Sequence, residues 1–466
     1  MKKLLNWIIP AVFGIGLWFI PTPEGLTPQS WHLFAIFVAT IVGFITQPLP
    51  IGGVSIVVIT VAALTGTLKI GEAISGFANS AIWLIVGAFL FSRGFIKTGL
   101  GKRIAYNLIA AFGSSSLRLA YALALSDLIL APATPSNTAR VGGVIMPITT
   151  SLAKAFGSEP QDGPRKIGSF LMQSIYQVNT ITSAMFQTSM AGNTLVAALA
   201  LQSFGIGITW GDWAMAAIVP GIIALIIMPY FIYKVYPPEI KDAREAQQMI
   251  KEELKSLGKM SFQEWVMLGV FVLALVLWAT SQFTKLDATT VAFLGISILL
   301  ATSVLVWDDV KSEKGAWDTL VWMGTLMGFA GFLSKLGFIK WATVLVGGYI
   351  PEGSWIIAFV IAVVINTYSH YVFASLTAHI SAMFVAFSAI AISAGAPPML
   401  TLLMIAFTSN LCMSLTHYAA GPSPVIFNTG YVPQNTWWKL GFFASVINLI
   451  IFMGLGSVWM KAIGMW

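Results

Sequence analysis

Charged residues are scarce along the whole of this sequence. Only 9% of its 466 residues are Asp, Glu, Lys or Arg, whereas 57% are hydrophobic, and the mean hydropathy is +0.83. A soluble domain carries about 25% charged residues. This shortage excludes an ordinary soluble protein and indicates an integral membrane protein, with room for about ten or more spans of roughly 20 residues each.

Cysteine and histidine are also rare. Cys412 is the single cysteine, which excludes an internal disulfide and a cysteine-cluster metal site. No two of the late histidines His370, His379 and His417 have an HxxxH-like spacing, so we predict no zinc site. The net charge of +7 lies mostly in short loops and one linker. That distribution follows the positive-inside rule and predicts no nucleic-acid partner.

Polar motifs interrupt the apolar chain at two places about 239 residues apart. The string SNTAR begins at Ser136, and the string SLTAH begins at Ser375. The apolar pieces beside the first string, 117–131 and 144–153, are each too short to cross a membrane. We therefore predict a re-entrant helical hairpin with the motif as a loop at its tip. A loop at that depth is tolerated only where it lines a cavity or is buried in protein.

A broken apolar run follows each motif. The run from 167 to 201 is interrupted in the first half, and the run 398–416 ends in a Gly- and Pro-containing stretch in the second. The interrupting residues are Gly192, Asn193 and Thr194, then Gly421, Pro422 and Ser423. Repeated halves with paired interrupted segments point to the binding site of a secondary transporter. The alternative is a Gly- and Ser-rich helix packing interface, which leaves Pro135 and Arg140 unexplained.

Both tips carry the groups that a carboxylate needs away from bulk water. Ser and Thr hydroxyls, an Asn amide, free backbone N–H groups and helix N-termini all favour an anion. Two opposed tips suit two carboxylates, so we predict a dicarboxylate site; phosphate or sulfate would favour an arginine cluster. The predicted substrate-binding residues are Ser136, Asn137, Thr138, Ser375, Leu376, Thr377, Gly192, Asn193, Thr194, Gly421, Pro422 and Ser423.

A basic side chain closes each motif. Arg140 at membrane depth is costly unless it is paired or lines a polar cavity, and we interpret it as a fixed cation that compensates the charge of a bound anion. Snorkelling to the surface or pairing with Asp127 is the alternative. His379 occupies the matching place and shares this predicted role through the symmetry of the motifs, although a lone histidine is usually a hydrogen-bonded core residue.

These strings resemble the divalent anion:sodium symporter (DASS) family over nearly the whole chain. The segments 134–140 and 414–418 look more like its exchanger branch, which includes 2-oxoglutarate/malate translocators and bacterial citrate, tartrate and succinate antiporters. The resemblance implies an all-α polytopic membrane protein with inverted repeats, about eleven transmembrane helices and two re-entrant hairpins. It also implies a homodimer in which a transport domain moves like an elevator against a scaffold domain and carries dicarboxylates or tricarboxylates.

The second motif departs from the sodium-coupled members that this chain resembles. Those members read Ser-Asn-Thr at both tips, and these residues help to coordinate sodium. Leu376 stands where the second Asn would be, and a Leu side chain cannot ligate a hard cation. We predict no metal; if sodium binds, its ligands would be Ser136, Asn137 and Gly192. Built-in positive charge would then replace sodium, and moving it without a bound anion would cost on the order of several kcal/mol.

The sequence therefore predicts a sodium-independent dicarboxylate antiporter of the 2-oxoglutarate, malate and succinate class, without a cofactor. A sodium-coupled di- or tricarboxylate symporter is the alternative. An enzyme is not expected, because the chain lacks a nucleophile with a base, an HExxH string or a paired-Asp motif. A channel is disfavoured because the tips carry no carbonyl-filter signature or charged ring. The expected location is the bacterial cytoplasmic (inner) membrane, with the N-terminus in the cytoplasm.

The predicted domain boundaries follow the repeat. Scaffold helices occupy 1–112 and 263–350. A hairpin, a broken helix and a last span occupy 113–233 and 351–466. A charged cytoplasmic helix at 234–262 joins the two halves, and its charge spacings are those of a solvated helix.

Overall fold

The computed structural model describes residues 2–347 and 355–466, and regular structure within them is helical apart from one isolated bridge between Ser115 and Asp242. The first half contains α1 (Lys2–Phe19), α2 (Pro28–Thr46), α3 (Ile51–Leu64), α4 (Ser80–Thr98), α5 (Leu100–Phe112), α6 (Ser116–Leu130), α7 (137–155, with a π turn at Val141–Ile145), α8 (Gly168–Met185), α9 (Ala191–Phe204) and α10 (Trp210–Val235). A linker helix, α11 (Arg244–Ser256), follows.

The second half has the same kind of order. It contains α12 (Phe262–Ala279), α13 (Ala288–Ala301), α14 (Trp307–Ser312), α15 (Lys314–Lys335), α16 (Phe338–Gly347), α17 (Trp355–Ser369), α18 (Leu376–Ser393), α19 (Pro398–Leu411), α20 (Pro422–Phe427) and α21 (Gln434–Leu449). The last of these continues through a π turn to Ala462.

The predicted membrane fold is confirmed. In the two described ranges, nine helices are long and apolar enough to cross a membrane, and three of them (α6, α17 and α18) are hairpin arms. Beside the two hairpins there are eleven crossing units. They are the other six of these nine helices, three shorter apolar helices, α15 and the broken helix α8–α9. The predicted repeat is present as well: α4 and α15 each lead through a short helix to a hairpin, a broken helix and a last span.

Three predicted details are wrong. The first motif is not a loop, because only 134–136 lies outside helices and α7 begins at Asn137. The sequence also predicts a broken region from Thr367 to Gly395 around the second motif, but α18 runs unbroken from Leu376 to Ser393. The first break lies at 186–190, several residues before the interruption expected at Gly192. In each case the residue of low helix propensity lies in the first turn of a helix. Backbone N–H groups there have no partner within the helix, so such a residue is tolerated and does not mark a break.

The linker packs against the first half instead of standing free in solvent. Ala246 and Ile250 are buried, and the Gln247 side chain donates to the Ala110 carbonyl of α5 at 2.8 Å. Next to them Arg103 pairs with Glu264, with 2.5 Å between Nε and Oε1. The exposed charged face of this helix agrees with the sequence. The boundary predicted at 350/351 lies outside the described residues, and the five-part domain division stays a prediction.

A second ion pair connects the two halves at the end of α4. Lys97 Nζ lies 2.5 Å from Asp309 Oδ2, and Arg93 Nη2 lies 3.7 Å from Asp309 Oδ1. The Val306 N–H donates to the same carboxylate at 2.9 Å, so Asp309 also caps α14. Burial opposes the charge, but the hydrogen bonds from Lys97 and Val306 and the charges of Lys97 and Arg93 hold the pKa of the Asp309 carboxyl below its ordinary value.

We expect Asp309→Asn to lower the free energy of unfolding by about 1 kcal/mol at neutral pH, through loss of the cap and of a partly exposed ion pair. Because the folded-state pKa is depressed, this stability is present above the ordinary Asp pKa and is lost as the pH falls from there through the lower folded-state pKa. The difference between wild type and variant should therefore shrink below about pH 4. Thermal unfolding in detergent at several pH values measures it.

Asp308→Asn is the matched control. Asp308 is the neighbouring residue, but its side chain is 85% exposed and its ion pair is with exposed Lys311. A surface pair of this kind contributes little. Equal melting temperatures for the two variants would contradict the role assigned to Asp309.

Candidate functional site

The two hairpin tips have the same local structure. Each consists of a short 3-10 turn, a three-residue tip and the start of a long helix, at 131–137 and at 370–376. The Ser136 hydroxyl accepts from the Ala139 N–H at 3.1 Å, and the Ser375 hydroxyl accepts from the Ala378 N–H at 3.3 Å. Serine is a favoured N-cap because its oxygen accepts from an unpaired N–H of the first turn. The repeated motif is therefore a capped helix start.

The two helix breaks also match each other. The first lies at 186–190, between α8 and α9, and the second lies at 416–421, between α19 and α20. The two breaks show the same sequence of turns and bends. Ser189 and Ala419 are the fourth residues of their breaks, so their carbonyl groups occupy equivalent places. Unwound backbone at such a break leaves carbonyl and N–H groups available for binding.

The helix that follows each tip lies close to residues at or beside a break of the opposite half. A Cβ atom added to Gly421 would lie 2.1 Å from Thr138 Oγ1, so the second break approaches the first tip as closely as backbone allows. A Cβ atom added to Gly192, in the first turn of α9 directly after the first break, would lie 2.6 Å from Ile380 Cδ1, so the start of α9 packs on the first two turns of α18. Segments beside both tips and both breaks therefore pack together across the two halves, and we take this region as the candidate site.

Only some of the predicted binding residues are open to a ligand there. Ser136, Thr138, Ser375 and Thr377 are half-buried, and Gly421 is exposed. The other predicted residues are buried: Asn137, Leu376, Gly192, Asn193, Thr194, Pro422 and Ser423. The open hydroxyls suit direct contact with a ligand. The buried group shapes the walls of the site.

Two of the buried residues bind other parts of the protein. Asn193 Nδ2 donates to the Ser183 and Phe186 carbonyls at 2.8 Å each, and Asn193 Oδ1 accepts from Asn410 Nδ2 at 2.7 Å. The Ser423 hydroxyl lies 2.8 Å from the Tyr176 hydroxyl. These bonds hold the breaks in place, so we interpret Asn193 and Ser423 as positioning residues.

Arg140 is completely buried and forms an ion pair with Asp127 of the same hairpin. Arg140 Nε lies 2.8 Å from Asp127 Oδ1. Asn179 Nδ2 lies 3.2 Å from Asp127 Oδ2, and the Thr182 hydroxyl donates to the same oxygen. Arg140 is therefore not the uncompensated cation that the sequence led us to expect at this tip. Pairing with Asp127, the alternative reading of the sequence, is what the fold contains, because a lone guanidinium in this dry interior would cost several kcal/mol.

The guanidinium also connects the first tip to the first break. Arg140 Nη1 donates to the Thr134 carbonyl at 2.9 Å and to the Ser189 carbonyl at 3.0 Å. Its Nη2 donates to two hydroxyls of α8, those of Thr182 at 3.3 Å and Ser183 at 3.2 Å. All five N–H groups of the side chain therefore have partners.

The second half repeats this arrangement without charge. His379 and Asn366 stand 239 residues after Arg140 and Asp127. His379 Nε2 lies 3.1 Å from the Ser369 hydroxyl, and no carboxylate contacts the ring in the part of the chain that the structure describes. A buried imidazolium without a counter-ion is costly, so His379 is neutral in this state. His370 Nε2 donates to the Ala419 carbonyl at 2.9 Å and so takes the place that Arg140 has in the first half.

The sequence reading missed Tyr176 and Asn410. The Tyr176 hydroxyl donates to the Met413 carbonyl, reaches the Thr416 carbonyl at 3.1 Å and contacts Ser423, so it fixes both sides of the second break. The available signal was the composition of α8, which carries Gln, Ser, Asn and Thr on every turn although all 18 of its residues are buried. Polar side chains around a whole membrane helix indicate that it lies within protein.

Comparison with known proteins gives matches over the full length. The model of a family described as the sodium:sulfate symporter transmembrane region matches residues 1–466. YflS of Bacillus subtilis (strain 168), named as a malate transporter, is 52% identical over 465 residues, which cover 100% of this chain and 97% of YflS. Dicarboxylate transporter 1 of Spinacia oleracea chloroplasts is 47% identical over 471 residues, covering 100% of this chain and 82% of the relative.

A solved structure has the same general fold. The YdaH transporter of Alcanivorax borkumensis superposes with a TM-score of 0.54 at 13% identity, covering 100% of this chain and 97% of the other. The family and the relatives are transporters, so the chain is a multi-pass membrane transporter and not an enzyme. From the full-length family match and relatives this similar, it follows that the chain belongs to the sodium:sulfate symporter family, the divalent anion:sodium symporter (DASS) family.

Proposed function

We propose that this protein exchanges dicarboxylates of the 2-oxoglutarate, malate and succinate class across the membrane without sodium. Relatives at 52% and 47% identity are named as malate and dicarboxylate transporters, which supports the substrate class. The relative YbhI of Escherichia coli, 39% identical, is named an inner membrane protein, which supports a bacterial inner-membrane location. The cytoplasmic N-terminus and the homodimer stay predictions.

Sodium independence is supported chiefly by one observation: both of the equivalent break carbonyls already accept a hydrogen bond from a side chain. The Ser189 carbonyl accepts from Arg140, and the Ala419 carbonyl accepts from His370. Sodium, like other hard cations, needs several oxygen ligands. A guanidinium and an imidazole already bind the oxygens that unwound helices would offer to it, and Leu376 offers none at the second tip.

The hydroxyls that face the site suggest how a dicarboxylate is held. Ser136 and Thr138 border the site at the first tip, and Ser375 and Thr377 border it at the second. One carboxylate at each tip would accept hydrogen bonds from these hydroxyls and from N–H groups of the helix starts. The two-fold arrangement therefore favours a substrate with a carboxylate at each end.

We attribute obligatory exchange to the helix N-termini at the site and not to a free arginine. Arg140 is neutralised by Asp127 and His379 is neutral, so neither provides a net charge. The helices α7, α9 and α18, however, all begin beside the site, and each N-terminus carries roughly +0.5 of an elementary charge. The first-turn N–H groups of these helices have no partner within their own helix. A bound dianion would accept hydrogen bonds from them and lower the cost of crossing the membrane.

An elevator movement has a suitable surface. An apolar cavity of about 210 Å³ separates α2, α15 and α16 from α9 and α18. Its walls carry Phe37, Ala330 and Ala342 on the predicted scaffold side, and Leu199, Ala382 and Val385 on the predicted transport side. Apolar side chains make few directional bonds, so one domain would slide on the other at low cost.

A sodium-coupled symporter is the second candidate, because the string Ser136-Asn137-Thr138 is intact. Counterflow in proteoliposomes separates the two candidates. We expect radiolabelled dicarboxylate to enter only vesicles preloaded with dicarboxylate, at the same rate in sodium and in potassium buffer. Uptake into empty vesicles that requires a sodium gradient would establish symport and overturn the proposal.

Arg140→Lys tests the capping of the break. The variant keeps the charge opposite Asp127, but an ammonium has three N–H donors in place of five and cannot bridge Thr134 and Ser189 in the same plane. We expect exchange to fall strongly while the protein still reaches the membrane. Arg140→Ala should in addition destabilise the fold by about 3–5 kcal/mol, because Asp127 is left unpaired. Full exchange activity in Arg140→Lys would contradict this role.

Gly421→Ala tests the close approach of the first tip and the second break. The new methyl group would lie 2.1 Å from Thr138 Oγ1, so either the tip or the break must move. We expect loss of exchange, measured by the same counterflow assay. Gly142→Ala is the matched control in the same region, because its methyl group would meet only Val425 Cγ1 at 3.6 Å, an ordinary contact. Equal activity of both variants would show that the contact does not matter.

A further inference from the structure

We propose that His370, His379 and Cys412 form a binding site for a soft monovalent metal ion, and that copper(I) is the ion bound there in the cell. One donor atom of each side chain lies within 4.8 Å of the donor atoms of the other two, and all three residues are buried. His370 ends the first arm of the second hairpin, His379 lies in its second arm and Cys412 follows α19. The chain folds these distant residues into one cluster directly behind the second tip.

The hydrogen bonds of the two imidazoles leave one lone pair on each ring. His370 Nε2 faces the Ala419 carbonyl at 2.9 Å, so this nitrogen carries the proton. The Ser369 hydroxyl gives its own proton to the Asn366 carbonyl at 2.8 Å, so it can only accept from His379 Nε2. Both Nδ1 atoms are therefore unprotonated, and within residues 2–347 and 355–466 neither has a hydrogen-bond partner.

This pattern is the one that metal-binding histidines show. Such a histidine usually donates its second N–H to a backbone carbonyl or another polar group, which fixes the ring and raises the basicity of the free nitrogen. A buried, unprotonated nitrogen without a donor is otherwise a cost to the fold. Here one ring nitrogen of each histidine lies within 4.8 Å of the Cys412 thiol. The thiol makes one weak contact, with the Ser409 carbonyl at 3.3 Å from Cys412 Sγ.

The donor set selects the kind of ion. Two imidazoles and a thiolate are borderline and soft ligands, which favour copper(I) or zinc over sodium, magnesium or calcium. Copper(I) has a further advantage in this dry place, because its single charge is cancelled when the Cys412 thiol releases a proton and binds as thiolate. A zinc ion would leave one net positive charge that no carboxylate in the described part of the cluster offsets.

Binding would change the second tip. Metal bonds of about 2.0–2.3 Å bring donor atoms to about 3.5 Å from one another, closer than the present upper limit of 4.8 Å. His379 lies one helical turn after Ser375, so contraction would pull the tip toward the second break. A bound ion would thus tie tip and break together and slow exchange.

Silver(I) is the first probe, because it has the same charge and ligand preference without redox chemistry. The full chain, purified in detergent in chloride-free buffer, is equilibrated with silver nitrate and desalted, and bound silver is counted by mass spectrometry. We expect one silver ion per chain. His370→Gln and His379→Gln should each weaken binding at least about tenfold, and Cys412→Ser should abolish it. His417→Gln is the control, because His417 accepts from Trp438 Nε1 at 3.0 Å outside the cluster.

Binding that stays equally tight in both cluster-histidine variants would mean that a lone thiol captures the ion, and absence of silver from the wild type would also overturn the site. X-ray absorption of the wild type loaded with copper(I) under reducing conditions needs no variant. It should show two nitrogen neighbours and one sulfur neighbour; a shell without nitrogen refutes the site even if a variant fails to fold. Counterflow with and without silver, in wild type and Cys412→Ser, then tests the effect on exchange separately from the binding.

Discussion

The arrangement of the site depends on one buried side chain, Arg140. Its five donors reach an acid of its own hairpin, the carbonyl at the hairpin tip, the carbonyl in the helix break and two hydroxyls of α8. Each of those partners would carry an unsatisfied charge or lone pair in a dry interior without it, which is costly. A single guanidinium therefore keeps an unwound backbone stable inside a membrane protein.

The second half stabilises its unwound backbone with neutral groups. His370 binds the break carbonyl that corresponds to Ser189, and Asn366 and His379 replace the ion pair. In the described part of the chain, the Nδ1 atoms of His370 and His379 have no hydrogen-bond partner, and the single cysteine lies close to these two rings. The two tips consequently share their backbone geometry but differ in polarity and in the ligands they can accept.

Much of this could be predicted from the sequence. The repeat, the hairpins and the paired breaks follow from apolar runs interrupted by Gly, Pro and Ser, because irregular backbone at membrane depth must be buried in protein or line a cavity. The position of each break within its run could not be predicted, since Gly192 and Asn193 are equally suited to the first turn of a helix. The partner of Arg140 also stayed open, because the choice between Asp127 and a bound anion depends on distances across the hairpin. The cluster of His370, His379 and Cys412 has no local spacing at all and appears only when α19 meets the second hairpin.

The paired positions 127 with 140 and 366 with 379 have an evolutionary consequence. If both halves descend from one duplicated ancestor, a charged pair in one copy and a neutral pair in the other require two substitutions in the same half. Either substitution alone would strand a charge in the interior at a cost of several kcal/mol. Selection should therefore have passed quickly through any single intermediate, and natural relatives should keep or exchange the members of each pair together.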